Sequence, residues 1–172
     1  MSIRDVITLP DPVLRKKAHK VTDYGSSLQK LIDDMVETMR LAPGVGLAAP
    51  QINVLLRIFV AEFGDEEEEV PTKLYTIINP EISKYSSEKV VGTEGCLSIP
   101  GYLGEVERSE TIVIKGFNRY GKKQRIKAKG WLARIFQHET DHLNGVLFID
   151  HTEKVWKIED EPSQVIPVEQ ND

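Results

Sequence analysis

The sequence predicts an α+β fold in which short antiparallel strands pack around a central buried helix. Three observations carry that prediction. Several β-rich segments are separated by turn residues. Residues 26–41 repeat apolar side chains at helical spacing. Residues 131–143 are apolar on nearly every face, the mark of a buried helix.

The elements follow in chain order. Asp11-Pro12 opens a short helix, with Asp as N-cap and Pro at the first helical position. Leu28, Leu31, Ile32, Met35, Val36 and Met39 form one stripe, with Gln29, Lys30, Asp33 and Glu37 opposite, so 26–41 is an amphipathic helix. Residues 55–62 and 74–79 read as strands joined by a surface hairpin loop at 66–72. Further strand signals lie at 88–92 and 111–117. A turn at 118–121 leads into a strand at 122–129, where Gln124, Ile126 and Ala128 alternate with charge. The buried helix then runs to Leu143 and stops at Asn144-Gly145. Signals weaken beyond Phe148. The expected organisation is one catalytic domain over residues 1–150 and a poorly ordered acidic tail over 151–172, which contains Pro162 and Pro167.

Bulk properties exclude several classes. A chain of 172 residues fits one domain and buries enough surface to hold a core without disulfides, and its single cysteine, Cys96, permits none internally. No apolar run approaches the roughly 20 residues that span a bilayer. The first residues lack the layout of a secretory signal, so the cytoplasm is the expected location. Net charge is −5, and much of the acidic excess sits in 65–69 and 159–172, which read as solvated loop and tail. The rest is nearly balanced, so composition predicts no basic footprint for nucleic acid.

Chemistry concentrates on the buried helix, in His138-Glu139-Thr140-Asp141-His142. Residues i and i+4 lie about 40° apart around a helix, so both imidazoles reach one metal ion. Glu139 is displaced around the helix and can hold a water instead, the logic of the His-Glu-x-x-His signature. The competing reading is a solvated face of ion pairs. Leu132, Ile135, Phe136 and Leu143 weaken it, because ionisable groups in such company need partners. A catalytic metal keeps three protein ligands and one open position. Cys96, in the Gly-flanked segment 94–101, is the best third candidate, although a lone cysteine is usually a small buried hydrophobe. His19 and His151 compete, and both read more naturally as surface histidines.

A second segment, GVGLAAPQ at 44–51, is rich in small residues that let a backbone approach a ligand. It lacks the Lys and Ser/Thr of a phosphate loop, and alone would be a tight connector. With EGCLSIPG at 94–101 and QHETDHLNG at 137–145, it resembles the three motifs of the peptide deformylases, a likeness that covers about Ile3 to Asp150. The tail shows no clear amphipathic helix of the kind with which some bacterial members dock on the ribosome.

The resemblance implies roles. Cys96, His138 and His142 would hold one divalent metal, Fe²⁺ in the cell, with Zn²⁺ or Ni²⁺ as substitutes. Glu139 would be the general acid/base. Gln51, by its side-chain amide, and Leu97, by its backbone N–H, would hold the formyl oxygen. Gly46 would meet the substrate backbone, and Val45, Trp131 and Ile135 would line the methionine pocket. The implied reaction removes the N-formyl group from the terminal methionine of new polypeptides: metal-bound hydroxide attacks the formyl carbon and formate leaves. The partners implied are the N-formyl-methionyl nascent peptide and the ribosome, with no membrane. Two rivals share parts of the pattern. A zinc endopeptidase needs a further ligand downstream, where His151, Glu153 and Glu159 lack the spacing. A structural metal module would have four ligands and no spare Glu139.

Overall fold

The computed structural model describes residues 2–158. Its strands in chain order are β1 (Gly46–Ala48), β2 (Ile58–Asp65), β3 (Val70–Tyr85), β4 (Lys89–Cys96), β5 (Ile99–Ser109), β6 (Thr111–Phe117), β7 (Lys123–Lys129) and β8 (Val155–Lys157). Two α-helices join them, α1 (Ser26–Leu41) and α2 (Gly130–Leu143). One antiparallel sheet has the order β1-β2-β3-β6-β7 and the other the order β4-β5-β8.

The larger sheet separates two cores, and period-two alternation builds both. Ile58 and Val60 of β2 face α1, joining Leu31, Ile32, Met35 and Met39. Phe59 and Ala61, one residue along, face α2 and join Ile135 and Phe136. The smaller sheet closes over the far side of α2, where Arg134 donates to the Val106 carbonyl of β5 and Gln137 to that of Ser109. The central helix thus lies between two sheets.

Both helices agree with the sequence pattern. Asp11 caps a single 3₁₀ turn at Pro12–Arg15, its carboxylate accepting from the Val13 N–H at 3.0 Å. Strand boundaries differ, each for a physical reason. β2 starts three residues later than 55 because the backbone there pairs with His19: the His19 N–H donates to Leu55 O and the Arg57 N–H to His19 O. β3 runs far beyond 74–79. Asn79-Pro80 looks like a turn but is a bulge, with Asn79 at φ 52° and its side chain bonded to both backbone groups of Val21. The loop expected at 66–72 shrinks to a tight turn before Val70, and β4 extends from 89 through Cys96. β5 has no counterpart among the expected strands.

The tail also differs from expectation. Residues 148–151 form a 3₁₀ turn, and β8 pairs Val155, Trp156 and Lys157 with Gly104, Leu103 and Tyr102 of β5. The Ile158 N–H continues the ladder onto Gly101 O at 2.7 Å. The part of the expected disordered tail from 159 onward lies outside the described residues.

Candidate metal and hydrolytic site

Cys96 ends β4 at a register shift that turns its side chain toward α2. On α2, His138 and His142 stand one turn apart with ring centroids 5.0 Å from each other. One ligand atom from each of the three residues lies within 4.8 Å of the others, and Cys96 Sγ is 3.3 Å from His142 Nε2. Among the described residues no other group of His, Cys, Asp or Glu has this geometry. His19 and His151 are both exposed, and His151 Nε2 bonds Asp141 Oδ2 at 2.8 Å instead.

These donors fit one divalent ion. Burial, and then the neighbouring His138, hold His142 well below the usual imidazole range, so it is neutral and free to ligate. Its buried Nδ1 has no hydrogen-bond partner. His138 Nδ1 bonds Glu94 Oε1 at 2.8 Å, which fixes the ring and leaves Nε2 for the ion. One sulfur with two imidazoles matches a borderline or soft metal.

Glu94 anchors this arrangement, and sequence reasoning gave it no role. Both of its oxygens accept from Arg108, at 2.8 Å each, and Oε2 also accepts from Arg134 Nη1 at 2.7 Å. Burial alone would raise its pKa, but hydrogen bonds from Arg108 and His138 and their charges outweigh it and hold the carboxyl well below its usual range. Arg108 goes on to Asp141 at 2.7 Å. The available signal was Arg134, a cation on a helix expected to be buried, which requires an acidic partner.

Glu139 is 4% exposed, and its Oε1 has no hydrogen-bond partner. Burial lifts its carboxyl to about 7, with the His138 charge pulling the other way. Gly46 makes room for it: a Cβ there would lie 2.5 Å from Glu139 Oε2. Gln51 is oriented by the backbone, since its Oε1 accepts from the Ala48 N–H at 2.9 Å. Its Nε2 therefore points to Ser98 Oγ, 3.1 Å away, and Cys96 Sγ, 3.6 Å away.

Gln51, Glu94, Cys96, His138 and Glu139 meet at a cavity of about 760 Å³. Gly44, Val45 and Gly46 form one side, Gly95 and Leu97 another, and Trp131, Ile135, His138 and Glu139 come from α2. Every residue expected to contact substrate lines it, together with Ile158, which was not expected to. His142 lies behind this surface, 1% exposed.

A His-Glu-x-x-His helix whose carboxylate is left unpaired beside a deep cavity defines a hydrolase. Comparison with known proteins narrows the class. The polypeptide deformylase family matches residues 3–157. A peptide deformylase of Dehalococcoides mccartyi is 53% identical over 89% of this chain and 88% of its own. The structure of a peptide deformylase from Ehrlichia chaffeensis in complex with actinonin is 39% identical, with a TM-score of 0.84 over 99% of this chain and 96% of that one. A class I type b peptide deformylase from Acinetobacter baumannii with Met-Ala-Ser bound is 35% identical, with a TM-score of 0.82 over 88% of this chain and all of that one. The chain belongs to the polypeptide deformylase family. Among its described residues no helix is long and apolar enough to cross a membrane.

Proposed function

We propose that the chain hydrolyses the formyl amide of N-formyl-methionyl peptides in the cytoplasm, releasing formate and a free N-terminal methionine. The observation that carries this is the buried Glu139 carboxylate, unpartnered at Oε1 and next in sequence to a histidine of the Cys96, His138 and His142 cluster. The Acinetobacter baumannii relative holds a peptide that begins with methionine, which supports the substrate class.

A divalent ion held by Cys96, His138 and His142, with Fe²⁺ the proposed native species, would supply Lewis acidity that activates water near neutral pH. Glu139 takes a proton from the attacking water at its free oxygen and hands it to the departing amine. Gln51 Nε2–H and the Leu97 N–H donate to the formyl oxygen as charge builds there. Glu94 keeps the His138 ring in place. Val45, Trp131 and Ile135 hold the methionine side chain, and Gly46 brings its backbone beside the peptide.

The test is Glu139→Gln, nearly isosteric, in metal-loaded protein. Its kcat per bound metal is expected to fall on the order of 10²–10⁴-fold at unchanged metal content. A near-native rate, or metal loss with normal turnover of the loaded fraction, would reject the proton-transfer role.

A further inference from the structure

The face of the larger sheet that carries α1 is only partly covered. Phe117 of β6 still packs against the core on that side, but β7 lies beyond it at the sheet edge. Every second residue of β7 points outward from this face, and each is a cation: Lys123, Arg125, Lys127 and Lys129, all exposed. The register adds to them. Lys115 of β6 sits directly across from Arg125, and Lys84 of β3 lies in the row of Val113 and Lys127. Glu81, across from Lys115, is the acid in that row. None of these six cations forms an ion pair among the described residues. On a chain of net charge −5 this concentration is a property of one face, which composition averages away.

We propose that the exposed cationic row along β7, with Lys115 and Lys84 beside it, is a docking surface for single-stranded RNA, held through its phosphates. Alternate residues on a strand are about 6.6 Å apart, of the order of the distance between neighbouring phosphates. The cations of β7 therefore form a row that a nucleic-acid backbone can follow. Tyr120, 74% exposed in the turn between β6 and β7, offers an aromatic face at the end of the row on which a base stacks. An acidic protein would satisfy the charge but would make no use of the even spacing or the exposed ring. The choice of RNA over DNA rests on the reading above, in which the substrate is a newly made peptide, produced beside RNA.

The experiment uses the metal-loaded full chain and a labelled polyuridylate 20-mer, followed by anisotropy between about 50 and 200 mM salt. Binding is expected with a log–log salt slope of about −3, roughly 0.7 for each of four neutralised phosphates. The variant carrying Lys123→Gln, Arg125→Gln, Lys127→Gln and Lys129→Gln is expected to lose that dependence, its slope falling to about −1 or less. Hydrolysis of a free formyl-Met peptide is measured in parallel, because the substituted residues lie outside the cavity and the rate is expected to hold. That assay also separates failure of the deformylase reading from failure of RNA docking. Absence of RNA binding in wild type, or equal binding by the variant, overturns the proposal. Polyglutamate or single-stranded DNA bound more tightly than RNA overturns it too, and would identify the other partner class.

Discussion

At the scale of single residues, position within the site depends on what is missing as much as on what is present. Gly46 has no side chain, and the Glu139 carboxylate occupies the space beside it. Gly46→Ala would put a Cβ 2.8 Å from Glu139 Cδ and 3.0 Å from its Cγ, so the whole carboxyl must move. Displacing a proton-transfer group by about 1 Å costs on the order of 10²-fold in rate. The expected outcome is such a fall in kcat per bound metal, with the thermal midpoint far less affected. If Gly46→Ala turned over at the native rate, the fixed placement of Glu139 would have no part in the chemistry. The histidine pair was legible in sequence because helical spacing puts His138 and His142 on one face. Cys96 was the best candidate there, but nothing local tied it to a helix some forty residues away. Glu94 was legible only as part of a motif, since a carboxylate's partners lie across the fold.

At the scale of elements, helices were easier to read than strands. The stripe of α1 and the all-round apolar α2 are local patterns, and Asn144-Gly145 gives the latter a stop, with Gly145 at φ 72°. Strand limits depend on pairing. Residues 55–57 have strand character but bond to His19, and Pro100, Gly101 and Gly104 interrupt the alternation by which β5 would be recognised. One polar residue also ties α1 down. Asp34 is fully buried and accepts from Lys30, from Arg4 twice and from the Ser2 N–H. The Lys30 hydrogen bond leads in holding its carboxyl well below the usual range, against burial and with help from Arg4 and Ser2. A depressed folded pKa adds stability above the unfolded value of about 3.9, and that stability is lost as pH falls through the folded value. Unfolding free energy of the wild type should therefore drop more steeply below about pH 4 than that of Asp34→Asn. At neutral pH the variant should be less stable by roughly 1–3 kcal/mol, from the lost charged hydrogen bonds. Parallel denaturant titrations at neutral and acid pH read both effects, and identical acid slopes would exclude Asp34 as a contributor.

At the scale of the whole molecule, a strand lies beyond the residue 150 at which the sequence places the domain boundary. Residues 151–158 carry too few apolar positions to announce a strand, yet β8 covers the edge of β5 and Ile158 forms part of the cavity wall. We propose that the catalytic unit runs to Ile158. A chain cut after His151 is expected to keep kcat per bound metal within about twofold. Its KM for formyl-Met peptides should rise roughly threefold to tenfold, as a wall contact is lost. Its thermal midpoint should also fall, because three ladder pairs go with β8. Steady-state kinetics and melting of the shortened chain check this, and unchanged KM and midpoint would return the boundary to residue 150.

The placement of Cys96 on one sheet and of both histidines on the helix packed against the other has a mechanical consequence. An ion joining them closes a loop of about 40 residues, as a disulfide would in a chain that has no second cysteine. It is a cross-link that can be undone without reduction. Ligand bound only to the folded state stabilises it by RT ln(1 + [L]/Kd), about 2.7 kcal/mol at a hundredfold excess over Kd. Chelation should therefore unfasten the two layers before it unfolds either. In hydrogen exchange, the amides of β4 and β5 should lose protection on adding chelator while those of β2 and β3 keep theirs. Uniform loss across both sheets would mean that they unfold as one unit, and unchanged protection of β4 and β5 would mean that packing and the bonds from Arg134 and Gln137 hold the layers without the ion.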